Sequence, residues 1–167
     1  AGLGVSPWTV LAQGISVQSG LSVGFSTFVV SVLVLLLWIP LRELPGFGTL
    51  SNAVVIAVAI DTMTPLLMLP EGSAMRYLQL IAGVILIGVG SGLYLTANLG
   101  PGPRDGLMTG LQRITGKPIG WVRAGLEVTV LCCGWLLGGT VGLGTVVFAI
   151  GVGYAVALSL SLVKRFG

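Results

Sequence analysis

Histidine is absent from this chain, and its 167 residues include only five Asp and Glu against eight Lys and Arg. Without histidine there is neither the commonest metal ligand nor the usual neutral-pH general base. A phosphate loop, a Ser-His-Asp set and metal-ligand spacings are missing too. The chain therefore reads as a non-enzyme with no catalytic residue, no metal and no cofactor, and nothing in it suits nucleic acid. Charged residues make up 8% of the sequence, where a soluble domain carries about a quarter. So few charges cannot coat a surface that faces water. With 54% hydrophobic residues and a mean hydropathy of +1.05, the solvent left for that surface is lipid. Cysteine is limited to the adjacent pair Cys132 and Cys133 in an apolar run, which reads as apolar filler and not as a disulfide.

Glycine is plentiful, at 27 residues, as in membrane helices whose backbones approach closely. Five apolar stretches reach spanning length, roughly 18–22 residues each: Ser22–Leu41, Gly48–Leu69, Leu78–Ala97, Gly120–Gly138 and Gly144–Val163. Prolines and charges punctuate them at Pro40–Pro45, at Pro70-Glu71-Gly72 and over Gly100–Pro118. The expected fold is an all-α polytopic membrane helix bundle.

The chain also resembles itself. At an offset of 96 residues, Ala1-Gly2-Leu3-Gly4 and Pro7 match Ala97-Asn98-Leu99-Gly100 and Pro103. The same offset pairs Gly14 with Gly110, Gly20 with Gly116, Gly24 with Gly120, and Gly46-Phe47-Gly48-Thr49 with Gly142-Leu143-Gly144-Thr145. About seventeen identities fall in some sixty positions, concentrated at the glycines and prolines that set backbone direction. This pattern predicts two membrane repeats, 1–70 and 71–167. A whole span precedes the second Ala-x-Leu-Gly motif and none precedes the first, so the expected unit has three helices and the first repeat lacks its first one. An odd number of spans per repeat inverts the second copy. Charge placement agrees: Arg42, Arg104, Arg113, Lys117 and Lys164-Arg165 fall on one side, which the positive-inside rule makes cytoplasmic. The expected location is a bacterial inner membrane, multi-pass, with a cytoplasmic C-terminus.

Few ionic residues fall within or beside the spans. Asp61 lies some thirteen residues from the inner end of its span, which suggests a depth near mid-bilayer, and Pro65 follows one turn later. Such a carboxylate faces protein or water, either as a cation or proton site or as a structural group that holds helices together. Arg123 and Glu127 stand one turn apart, as an intrahelical pair or as a charged cavity lining. Arg104 and Asp105 open the second linker helix. There Asp105 suits the helix dipole and Arg104 invites an anion. Arg113 and Lys117 are read as facing lipid phosphates. The linkers Pro7–Ser19 and Pro103–Thr115 are too short to span. They are either half-helices dipping into the bilayer or amphipathic helices lying in the interface. Gly88-x-x-x-Gly92 and Gly134-x-x-x-Gly138 read as close-packing helix contacts.

Ala1–Trp8, the Gly46-x-Gly48-Thr49 turn, Gly100-Pro101-Gly102-Pro103-Arg104-Asp105-Gly106-Leu107 and Leu126-Glu127-Val128 resemble the bacterial YczE/YyaS/YitT membrane proteins, most closely the YczE branch. The resemblance implies a bacterial inner-membrane protein and supplies no substrate, cofactor or catalytic residue. Family members often carry Asp after the first Pro-Trp; Thr9 stands there in this chain, which leaves only its repeat counterpart Asp105. The functional expectation is a small-solute permease or exporter, with Asp61, Glu127, Arg123, Arg104 and Asp105 facing an ion or substrate. The alternative is a non-transporting scaffold or regulator of a partner enzyme complex. Membrane lipids, a small-molecule or ion substrate, and a homo-oligomeric or membrane-protein partner are the candidate contacts.

Overall fold

The computed structural model describes residues 2–67, 72–97 and 99–166, with the side chains of residues 160 and 163–166 excepted. Ala1, Pro70, Glu71 and Asn98, and the side chains of Lys164 and Arg165, lie outside the described residues. Among the described residues there are seven α-helices and no strand: α1 (Pro7–Ser19), α2 (Val23–Leu41), α3 (Phe47–Met63), α4 (Ser73–Thr96), α5 (Pro103–Thr115), α6 (Ile119–Leu136) and α7 (Leu143–Phe166). A 3₁₀ turn, Thr64–Leu66, continues α3. Four helices (α2, α3 with its turn, α4 and α6) are long and apolar enough to cross a membrane. The fifth expected span, α7, is a helix of 24 residues, of which Leu143–Ser159 is a described apolar run. Large apolar side chains face outward along these helices: Leu86 is 71% exposed, Ile150 64% and Leu36 55%. A surface of that kind is stable against lipid and not against water. The protein is an all-α membrane helix bundle.

The helices gather into two compact units. One holds α4, α7 and residues up to Ser6; the other holds Pro7–Leu66 and Leu99–Gly139, that is α1, α2, α3, α5 and α6.

In the larger unit the core is a stripe of α2. Ser26, Val30, Val34, Trp38 and Leu41 recur at helical spacing and are all buried, with Leu107 of α5 against them. Trp8, Leu11 and Ile15 of α1 and Leu126 of α6 pack around this cluster. The Trp38 indole is 1% exposed and donates its N–H to the carbonyl of Pro103 at 2.9 Å. It lies so close over Gly106 that a Cβ there would collide with the ring. The contact between α1 and α6 is built in the same way. The backbone of Val10 and Leu11 rests on Gly134, where any side chain would collide with it. Gln18 Nε2 donates to the carbonyl of Leu137 at 3.1 Å. Thus α1 lies across residues 134–139 and α5 across residues 38–43. Both short helices cover the C-terminal ends of spanning helices and add their apolar side chains to the α2 core.

Those two covered ends share one geometry. Arg42 N–H donates to Ile39 O at 3.1 Å and Glu43 N–H to Trp38 O at 3.2 Å; Gly138 N–H donates to Trp135 O at 3.0 Å and Gly139 N–H to Gly134 O at 2.8 Å. Both are Schellman caps, which satisfy carbonyls that a helix end leaves unpaired. The left-handed residue is Gly138 (φ 99°) in one and Arg42 (φ 55°) in the other. A side chain in that conformation costs about 1–2 kcal/mol.

The glycine motifs dock in pairs. Gly48 N–H donates to the carbonyl of Leu99 at 2.8 Å, and Thr49 Oγ1 both accepts from Gly46 N–H at 3.1 Å and donates to Pro101 O at 2.7 Å. Gly100, at φ 106°, brings its backbone against Gly46. In the smaller unit, Gly144 N–H donates to the carbonyl of Leu3 at 2.7 Å and Gly142 N–H to Thr145 Oγ1 at 3.2 Å, with Gly4 at φ 103°. The bonds of Gly48 to Leu99 and of Gly46 to Thr49 thus have counterparts 96 residues away. Within the smaller unit Gly88 of α4 seats against Ala155 of α7, beside a core of Val84, Phe148 and Val152. The close-packing reading of Gly88 and Gly134 therefore holds.

Gly106→Val is expected to destabilise the protein by about 1–3 kcal/mol or more, because the indole of Trp38 must be displaced. Gly83→Val, where an added Cβ meets nothing within 4 Å, is expected to change stability by less than about 0.5 kcal/mol. Unfolding in detergent checks both, and equal effects would show that the Trp38 contact does not hold α5 in place.

Candidate functional site

The ionic residues singled out in the sequence all lie in the larger unit, and they form separate groups. Arg123 Nε donates to Glu127 Oε1 at 2.9 Å, which forms the intrahelical pair. The side chains are 33% and 18% exposed. Positions 123, 127, 130 and 134 fall on one face of α6 by helical spacing. That is the face on which Val130 and Gly134 are buried, with Gly134 under α1. The ion pair thus continues the inward stripe of α6 toward its N-terminal end.

Asp61 stands elsewhere. Its Oδ2 accepts from the hydroxyl of Ser22 at 2.6 Å, and its Oδ1 accepts from the N–H of Gly24 at 2.8 Å. Ser22 Oγ in turn accepts from Phe25 N–H at 3.1 Å and is the N-cap of α2. The carboxylate of one helix therefore completes the N-cap of the next and meets the positive end of its dipole. Gly24 is required at this contact, since a Cβ would run into the Ala57 carbonyl and Asp61 itself. The sequence carried this span on to Leu69; in the fold α3 ends at Met63, so Asp61 lies within one turn of its end, level with the first turn of α2, and Pro65 falls in the closing 3₁₀ turn.

At the other end of α2, Arg113 Nη2 donates to the carbonyl of Leu41 and pairs with Glu43 Oε1 at 3.1 Å. It serves α2, whose last carbonyls have no intrahelical donor, while its side chain remains 56% exposed. Nothing in local spacing signals this pair; the shared side of Glu43 and Arg113 in the charge pattern was the available clue. Arg104 and Asp105 face each other at 4.0 Å in the first turn of α5. The fold thus pairs Arg123 with Glu127 and Arg104 with Asp105, while Asp61 and the Arg123–Glu127 pair sit toward opposite ends of this unit. One further polar group escaped the sequence reading. Ser26, fully buried on the core stripe of α2, has a hydroxyl without a hydrogen-bond partner.

A family model described as "Family of unknown function (DUF6198)" matches residues 1–160. The chain belongs to this family. The chain is also similar to an uncharacterized protein of Haemophilus influenzae, 45% identical over 99% of this chain and 76% of that protein. The membrane protein YczE of Bacillus subtilis is 38% identical over 95% of this chain and 74% of its own length. YyaS of the same organism is 27% identical over 99% and 84%. The resemblance to YczE and YyaS is thereby established. No solved structure matches this DUF6198 chain.

If Asp61 acts through Ser22 on the first turn of α2, Asp61→Ala and Ser22→Ala should each speed amide exchange at Gly24 and Phe25, and the double variant should add little to Asp61→Ala. Fully additive effects in such a cycle would dissociate the two groups.

Proposed function

We propose that this DUF6198 member is a permease or exporter of a small solute in a bacterial inner membrane, with its C-terminus in the cytoplasm. On this reading the five spans fall into two inverted repeats, 1–70 with α2 and α3 and 71–167 with α4, α6 and α7. The reading gains support from the bonds that recur 96 residues apart, since transporters of this class are built from such repeats.

The observation that carries the proposal is the Arg123–Glu127 pair on the inward stripe of α6. A membrane protein that needed only to pack would fill that stripe with apolar side chains, because an ion pair withdrawn from water gains little net stability. Its retention fits a polar lining, to which the unpartnered hydroxyl of Ser26 adds a second polar group within the same unit. Glu127 is the leading ion- or substrate-facing group and Arg123 its partner. Asp61 holds the start of α2, from which a change in its protonation would loosen that helix end. Arg104, with Asp105 beside it, is the anion contact. No chemical transformation is assigned to the protein.

A scaffold that binds a partner membrane protein is the second reading. What favours it is a set of glycines on α4 and α6 (Gly83, Gly90, Gly120 and Gly125) where an added Cβ would meet nothing within 4 Å. Small residues of this kind are typical seams for another helix.

Purified protein in liposomes, assayed for uptake of mixed small solutes, distinguishes the two. Transport predicts a solute flux that Glu127→Gln lowers at least about tenfold, the loss expected when an interaction of about 1.4 kcal/mol or more is removed. Absence of any flux, together with stoichiometric capture of one partner in mild detergent, would favour the scaffold.

A further inference from the structure

The charged end of the larger unit has a built shape that the transport reading does not use. Between α5 and α6 runs a groove of about 560 Å³, walled by Leu111, Trp121, Val122 and Leu126, floored at Gly125 and edged by Lys117. Gly125 leaves the floor open, since a Cβ there would meet nothing within 4 Å. The hydroxyls of Thr115 and Thr129, which also line it, are turned inward onto the carbonyls of Leu111 and Gly125, so the walls offer mainly hydrocarbon. Beside it, sharing Lys117 and Pro118, is a second hollow of about 390 Å³ lined by polar Gln112 and Arg113. Arg113 is held by Glu43 on one nitrogen, yet its side chain is still 56% exposed. Trp121 is 76% exposed at the groove, at the helix end where indoles prefer the bilayer interface.

An apolar groove that opens onto a cationic hollow at the end of a spanning helix is complementary to one kind of molecule, an anionic amphiphile. We propose that this face binds an anionic phospholipid, with one acyl chain in the α5–α6 groove over Gly125 and the phosphate at Lys117 beside Arg113. Basic pockets between helices recognise lipid head groups by this combination of charge and depth. The site does not depend on transport, and a protein that moved no solute would still hold the lipid.

The test uses the whole protein, purified in mild detergent with equal amounts of phosphatidylglycerol and phosphatidylcholine of identical chains, and counts retained lipid by native mass spectrometry. The intact protein should retain phosphatidylglycerol about fivefold over phosphatidylcholine, the preference that a single lysine at the surface supplies. Lys117→Gln should bring that ratio close to one, and Lys117→Arg should keep it. Gly125→Leu, whose Cβ finds open space and whose side chain fills the floor, should lower retention of both lipids. A ratio near one in the intact protein would overturn the proposal. So would a ratio unchanged in Lys117→Gln, or retention unchanged in Gly125→Leu, because either would put the lipid elsewhere.

Discussion

A helix that ends within or beside a bilayer must find donors and acceptors for its terminal backbone groups inside the protein, because lipid offers none. In this structure that requirement is met by pairing glycine motifs far apart in the chain. The carbonyl of Leu99 takes the N–H of Gly48 at the start of α3, and the carbonyl of Leu3 takes the N–H of Gly144 at the start of α7. Thr49 extends the first contact to Pro101. Such bonds need backbones in near contact. They therefore dictate glycine at 46, 48, 100, 142 and 144, and a left-handed backbone at Gly4 and Gly100.

The ionic groups follow the same rule. Arg113 supplements the carbonyl end of α2, Asp61 the N–H end, and Glu127 engages Arg123 one turn away. At Asp61 and Arg113 a charge is tied to a helix terminus, where it counters the helix dipole as well as satisfying backbone groups. Arg123 and Glu127 differ because they engage each other and no helix end. They stand on a stripe that packing alone would have made apolar. That contrast separates the charges that complete the scaffold from the pair on which the functional proposal rests.

Much of this architecture was legible in the sequence. Runs of apolar residues of bilayer length marked α2, α3, α4 and α6, because span length and solvent together leave few alternatives. The glycines and prolines at the 96-residue offset marked the turns that later proved to carry matching bonds. Residues that act across the fold were harder to place. Asp61 looked central because its span was carried on to Leu69, whereas α3 ends at Met63. The tie from Arg113 to the end of α2 was hidden because Glu43, its partner, is 70 residues away. Neither Ser26 nor the groove above Gly125 carries a local signal, since each is defined by what surrounds it after folding.

Paired cysteines test the glycine-motif docking most directly. In a background with Cys132 and Cys133 replaced by alanine, the account predicts rapid oxidative cross-linking of Gly48→Cys with Leu99→Cys, and of Gly144→Cys with Leu3→Cys. An added Cβ at Gly48 would lie 2.9 Å from that of Leu99, and one at Gly144 would lie 3.3 Å from that of Leu3, so each pair reaches the disulfide spacing of about 3.5–4.5 Å with a small outward shift. Cross-links that formed instead between positions 3 and 48, or between 99 and 144, would contradict it.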